Sequence, residues 1–166
     1  MERGAAQRLI AEAVRELRRG VSDGEARGSQ VIALVNAILD TALAEEATDI
    51  HLEPMDGKLR IRIRVDGMLR ERPIQFPSEL APVIIARLKV MAGIDTAKRN
   101  RPQDGQIRYR SGDRSIDMRV AVLPVVDGER MVVRIMDASE CFLGCEELDF
   151  TPRNQEIFER LIRRPT

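Results

Sequence analysis

Thr48-Asp49-Ile50-His51-Leu52-Glu53-Pro54-Met55-Asp56-Gly57-Lys58-Leu59-Arg60-Ile61-Arg62-Ile63-Arg64-Val65-Asp66-Gly67 is the stretch that decides the fold. Polar and apolar residues alternate on either side of Pro54-Met55-Asp56-Gly57. That period of two sends successive side chains to opposite faces of a strand. Residues 54–57 supply turn chemistry, so the stretch predicts a hairpin. Asp66-Gly67 is a second tight turn, leading to a third strand from Met68 to about Arg72 that Pro73 ends. Leu59, Ile61, Ile63 and Val65 then face a core. Arg60, Arg62 and Arg64 share the opposite face, about 6.8 Å apart at each step. With four loop residues, Asp49 falls opposite Arg62, His51 opposite Arg60 and Glu53 opposite Lys58, which leaves Arg64 without a carboxylate. Three like charges in a row need a counterion, either across the hairpin or from a bound anion.

Outward from this hairpin the period changes. On the N-terminal side, residues 5–19 read as an amphipathic helix with Leu9, Ile10, Ala13, Val14 and Leu17 on one stripe. Gly20 to Gly28 reads as a linker, and Ser29 as the cap of a second helix whose Val31, Ile32, Val35, Ile38, Leu39, Ala42 and Leu43 form a wide apolar face. On the C-terminal side, Ser78 caps a helix through Met91, and Lys98 to Gly105 is a charged loop. Strands follow at 106–110, 114–123 and 130–136, then an irregular stretch 137–151 and a helix opened by Thr151-Pro152 and running to about Arg163. Strands joined by short turns predict an α+β fold, a mostly antiparallel sheet with helices packed on one face. The expected division is a helix and linker over 1–28, a domain over 29–138, and a linker with a terminal helix over 139–166.

The chain's 166 residues suffice for one core, and 43% apolar with 33% charged residues exclude a disordered or fibrous protein. No apolar run approaches the roughly 20 residues that cross a bilayer, and Met-Glu-Arg-Gly begins no secretory signal. Two cysteines without a disulfide framework fit a reducing cytoplasm. With 27 basic and 27 acidic residues the formal charge is zero, which argues against a duplex-DNA binder and for no nucleic-acid partner. Lys58, Lys89 and Lys98 are the only lysines among the 27, so arginine supplies the other 24.

Catalytic motifs are missing from the sequence. There is no G-x-x-x-x-G-K-[ST] phosphate loop, no G-x-S-x-G and no H-E-x-x-H. His51 is the single histidine and reads as structural. Cys141 and Cys145 could hold half a zinc site, but no second pair completes it, and they read as small apolar residues. No metal site and no catalytic residue are expected in this chain.

Four ordered segments carry a family resemblance. Ala47-Thr48-Asp49-Ile50-His51-Leu52-Glu53-Pro54 resembles the "ASDIHIEP" segment of the secretion ATPases of type II secretion and type IV pilus assembly. Arg62-Ile63-Arg64-Val65-Asp66-Gly67 is similar to that family's "RxRVDG", and Arg101-Pro102-Gln103-Asp104-Gly105 to its "RxPQDGR". Asp117-Met118-Arg119-Val120, Gly128-Glu129-Arg130 and Val133-Arg134-Ile135 resemble its "D-x-R-V…GE…VxRI" hairpin. Gln106 stands where the family has arginine, Cys145 where leucine is usual and Asp149 where glycine is usual. Leu161-Ile162-Arg163-Arg164-Pro165 resembles the stretch before the Walker A strand, so the chain is expected to stop short of the phosphate-binding loop.

The resemblance implies a PAS-like N-terminal domain acting as regulator and adaptor in a hexameric ATPase. A RecA-like domain would follow it, using ATP and Mg, while this chain alone binds neither. Implied partners are that ATPase domain, the other subunits of a homo-hexamer and inner-membrane platform proteins of secretion or pilus assembly, with a cytoplasmic location peripheral to the inner membrane. In such proteins, arginines of this domain reach the nucleotide; the matching positions here are Arg62 and Arg64 on the strand and Arg99 and Arg101 in the loop. The alternative is a stand-alone ligand sensor or scaffold, but before position 110 only Phe76 and Tyr109 could stack on a ring ligand.

Overall fold

Two antiparallel meanders are joined edge to edge, and the joint brings the arginines of two strands around the carboxylates of a third. The computed structural model describes residues 10–12, 14–15, 24–72, 76–136 and 149–163. Leu9, Ala13, Leu17, Pro73, Cys141, Cys145 and the irregular stretch up to 148 lie outside them. The elements are α1 (Gly24–Ala44), β1 (Asp49–Met55), β2 (Lys58–Val65), β3 (Met68–Glu71), β4 (Phe76–Pro77), a 3-10 turn (Ser78–Leu80), α2 (Ala81–Met91), β5 (Gln103–Ser111), β6 (Arg114–Val125), β7 (Gly128–Met136) and α3 (Pro152–Ile162). The strand order is β3-β2-β1-β7-β6-β5, with β4 added beside β2, and every pairing is antiparallel. The seam is β1 against β7, with Ile50 opposite Val133 and Leu52 opposite Met131. Thr48 extends it, its N–H bonding to the Arg64 carbonyl and its own carbonyl accepting from Ile135, both at 2.9 Å.

The β1–β2 register differs from the one expected. Asp49 pairs with Arg64, His51 with Arg62 and Glu53 with Arg60, because Pro54 and Met55 belong to the strand, opposite Leu59 and Lys58. The loop is only Asp56-Gly57, with φ of 51° and 71°. Those two positive values define the two-residue hairpin turn whose twist matches paired strands. Asp66-Gly67 repeats the geometry, with φ of 52° and 74°. A shift of two residues keeps each side chain on its face, so the hydrophobic pattern fits either register and the turn decides between them.

The buried apolar strand residues gather in one core with the helices. Ile50, Leu52, Leu59, Ile61, Ile63, Ile107, Ile116, Met118, Val120, Val122, Met131 and Val133 meet Leu34, Val35, Ile38 and Leu39 of α1 and Ile84, Ile85 and Leu88 of α2 in a single core. Each such buried side chain contributes roughly 1.5–3 kcal/mol relative to exposure. Ile10 and Val14, the two described members of the expected leading stripe, are buried in the same core. Helix α1 begins at Gly24, which makes part of the expected linker helical and puts Ser29 inside the helix rather than at its cap. It is fastened to β5 through Asp40, whose Oδ1 accepts from Tyr109 Oη and Ser111 Oγ, both at 3.0 Å. Burial, with the Asp40 charge and hydrogen bond adding to it, pushes the Tyr109 phenol far above its usual range.

The chain divides into two compact units, Met1–Met136 and Asp137–Thr166. In the second, Thr151 is extended and its carbonyl accepts the N–H groups of Asn154 and Gln155, which starts α3 with Pro152 in its first turn. The Phe150 and Phe158 rings stack at 5.2 Å between centroids.

Candidate functional site

The face of the sheet away from the core is built around two buried carboxylates on β1. Glu53 and Asp49 have side chains only 7% and 8% exposed, although they stand on the polar face of the central strand. Arginines from both neighbouring strands cover them. Glu53 accepts from Arg62 Nε at 2.9 Å and Arg62 Nη2 at 2.7 Å, from Arg60 Nε at 3.1 Å, and from Arg130 Nη2 of β7 at 2.6 Å. Asp49 accepts from Arg64 Nε at 3.1 Å, from Arg134 Nε of β7 at 3.0 Å and from the Thr48 hydroxyl at 3.0 Å. Arg64 also bonds the Gly67 carbonyl at 2.9 Å. The pairing of β1 with both β2 and β7 brings these groups together, and the β7 arginines come from 77 and 85 positions away.

Burial alone would raise both carboxyl pKa values. For Asp49 it is outweighed by hydrogen bonds from Arg134 and Thr48 and by the charges of Arg134 and Arg64, so its carboxyl titrates below the ordinary range. For Glu53 the Arg62 and Arg60 hydrogen bonds and the Arg130 and Arg62 charges do the same. His51 lies between them with neither ring nitrogen hydrogen-bonded. Its burial favours the neutral ring, and Arg130 and Arg62 add to that, against the raising charges of Glu53 and Asp49; the pKa is lowered.

The ladder of arginines is therefore largely claimed by carboxylates. Arg64, expected to lack one, has Asp49. The charges with room to act lie further along the sheet. Arg134 is 68% exposed, and its direct cross-strand partner on β6 is Arg119, also exposed and without an ion pair among the described residues. Like charges directly opposite are destabilising unless something of opposite sign lies near, and of the two only Arg134 is paired, with Asp49. Next to Arg119 on β5 stands Gln106. A shallow concavity runs over Asp104, Gln106, Arg119, Ala121, Val132 and Arg134. Arg119 and Arg134 were not singled out from sequence as site residues. The signal was available, since both are outward positions of alternating strands, but their adjacency depends on the β6–β7 register.

Arg99 and Arg101 sit apart from this face, both exposed, in the stretch between α2 and β5. That stretch is shorter than expected because β5 starts at Gln103. Gly105 permits the start: a Cβ there would lie 2.5 Å from the Ala92 carbonyl oxygen, which accepts the Gln106 N–H at 3.3 Å. Among the described residues, no three His, Cys, Asp or Glu side chains gather as a metal site, and no helix is long and apolar enough to cross a membrane.

An antiparallel sheet with helices on one face and an arginine-rich open face thus defines the class. Residues 25–166 match the family of Type II/IV secretion system proteins, and the chain belongs to that family. It corresponds to the N-terminal domain of the ATPases of type II secretion and type IV pilus assembly. It is 44% identical over 136 residues to Type II secretion system ATPase E of Vibrio cholerae, covering 81% of this chain and 27% of that one. Identity to Type II secretion system protein E of Pseudomonas aeruginosa is 42% over 135 residues, with the same coverage of 81% and 27%. Type IV pilus assembly ATPase PilB of the same organism is 40% identical over 145 residues, covering 87% of this chain and 25% of PilB. The chain thus spans about a quarter of the length of these relatives.

Proposed function

We propose that this chain is a PAS-like regulatory and adaptor domain, residues 29–138, of a hexameric secretion or pilus-assembly ATPase, and that its arginines meet the nucleotide held by a RecA-like domain. The observation that carries this reading is the Arg119–Arg134 pair, two exposed arginines directly opposite each other on neighbouring strands, of which only Arg134 is paired with a carboxylate. A phosphate placed over them would relieve their repulsion and accept their planar donors. Arg99 and Arg101 are further candidates with exposed side chains. Arg62 and Arg64 are candidates whose forks are already engaged by Glu53 and Asp49, so they would supply field rather than a free donor. ATP and Mg belong to the ATPase domain in this reading, because this chain offers no phosphate loop. Inner-membrane platform proteins would receive the motion that the domain transmits.

An arginine that stabilises a transferring phosphoryl group is worth about 10³ to 10⁵ in rate. In the longer ATPase, Arg119→Ala and Arg134→Ala are each expected to lower hydrolysis by at least about tenfold. Melting of the 166-residue chain should barely move in Arg119→Ala, whereas Arg134→Ala also takes a hydrogen bond from the buried Asp49 and should lower it somewhat. Arg108→Ala, which breaks only an exposed pair with Asp117, serves as the control. Unchanged hydrolysis in both variants would overturn the reading.

A further inference from the structure

Lys89 belongs to none of the motifs, yet its side chain is 1% exposed. A buried ammonium is costly unless it is paired and its protons are used. Its Nζ donates to Glu129 Oε1 at 2.5 Å and to the Lys98 carbonyl at 3.0 Å. That carbonyl also accepts from Gln103 Nε2 at 2.6 Å. Two donors therefore converge on one backbone oxygen. Gln103 closes residues 98–103 into a ring, and Lys89 ties the base of that ring to α2 and to the first residues of β7. Asp95 steadies the approach, accepting the Ala97 N–H at 2.9 Å and pairing with Lys98 at 2.8 Å. Between the two ends of the ring, Arg99 and Arg101 are exposed.

We propose that Lys89 is a positioning residue: held by Glu129, its ammonium pins the Lys98 carbonyl and so fixes the direction in which Arg99 and Arg101 leave the loop toward an anion. The pin stands on geometry alone, whereas the anion rests on the nucleotide-facing reading above. The arrangement gives one physical purpose to separate sequence features. Gln103 of the "PQDG" run and Glu129 of the "GE" run meet at the two ends of one lysine–carbonyl contact. A methionine would fill the space of Lys89 without needing a partner, but it has no N–H to donate to either group. Ordering the loop before an anion arrives removes part of the entropic cost of binding.

The test is amide hydrogen exchange on the whole chain. Lys89→Met is expected to speed exchange over residues 99–103 by about tenfold or more relative to its change over 116–122 of β6, and Gln103→Leu should loosen the same segment. Loop and β6 accelerating together, or a loop that does not respond to Lys89→Met, would overturn the pin. Should Lys89→Met fail to fold, the wild-type chain decides. A pinned Lys89 gives a slowly exchanging ammonium resonance coupled to the Lys98 carbonyl, and its absence overturns the proposal. The anion is probed with inorganic tripolyphosphate, followed at the Arg99 and Arg101 Nε resonances. Binding there should weaken by about fivefold in Gln103→Leu and Lys89→Met. Equal affinity in the variants defeats positioning; no response in the wild type defeats the nucleotide-facing role of these arginines and leaves the exchange result to judge the pin.

Discussion

His51 lies between two carboxylates already claimed by arginines, and its neutral ring is the form the fold accepts. Because its pKa is lower folded than unfolded, the unfolded chain takes up the proton first, and stability must fall as pH drops below about 6.5. Asp49 and Glu53 also titrate lower in the fold, so the stability they contribute is present above their unfolded values and is lost as pH falls through the folded ones. Urea melts should therefore show a first decline below about pH 6.5 and a second in the acid range below about pH 4. His51→Gln should remove the first decline and leave the second; an unaltered slope between about pH 5 and 7 would show that His51 is not its source. Gly105 gives a second test at this scale. Its missing Cβ is what lets β5 lie so close to Ala92, since that atom would stand 2.5 Å from the Ala92 oxygen. Gly105→Ala should cost about 1–3 kcal/mol. Gly28→Ala, in α1 with nothing within 4 Å of the added carbon, should instead stabilise by about 0.5–1 kcal/mol. Equal melting midpoints for the two variants would contradict the close approach.

The hairpin shows what is legible in sequence at the scale of an element. The alternation from Asp49 to Val65 assigns the strands and their buried face, and both are as the pattern predicts. It cannot assign partners, since registers two residues apart bury the same side chains. Asp56-Gly57 as the whole loop is the deciding feature, and Pro54 obscures it by looking like turn material. For the same reason the role of Arg64 was misread: its carboxylate is Asp49, at 3.1 Å. A double-mutant cycle separates the registers. Asp49→Asn with Arg64→Met should show a coupling of about 0.5–3 kcal/mol, and Asp49→Asn with Arg62→Met close to none. The reverse ranking would restore the four-residue loop. Helix starts are harder to read, because Gly24 to Gly28 carry glycine and charge that propensity assigns to a linker while the residues continue α1. The seam of β1 with β7 joins residues 85 positions apart at Asp49 and Arg134, and local pattern holds no trace of it.

A chain of zero formal charge can still present a strongly biased surface. Arg60, Arg62, Arg64, Arg119, Arg130 and Arg134 share the open face with Asp49 and Glu53, so the face is positive and self-repelling toward a second copy. Of the apolar residues on the leading helix, Ile10 and Val14 are buried in the core and so are not available to a second copy. Among the described residues what remains apolar and exposed comes in small groups: Leu123, Val125 and Val126 around the β6–β7 turn, Phe150, Ile157, Leu161 and Ile162 in and just before α3, and Ile32, Met68 and Val90 on other elements. Stable interfaces bury on the order of 800 Å² per partner, more than a single turn or one face of an 11-residue helix supplies. The chain is therefore expected to be monomeric at micromolar concentration, with light scattering near its own mass of 18.7 kDa. A stable hexamer would overturn this. If weak association emerges at higher concentration, α3 is the expected cause, and Leu161→Gln should suppress it while Val126→Gln does not. Suppression by Val126→Gln instead would move the contact to the hairpin tip.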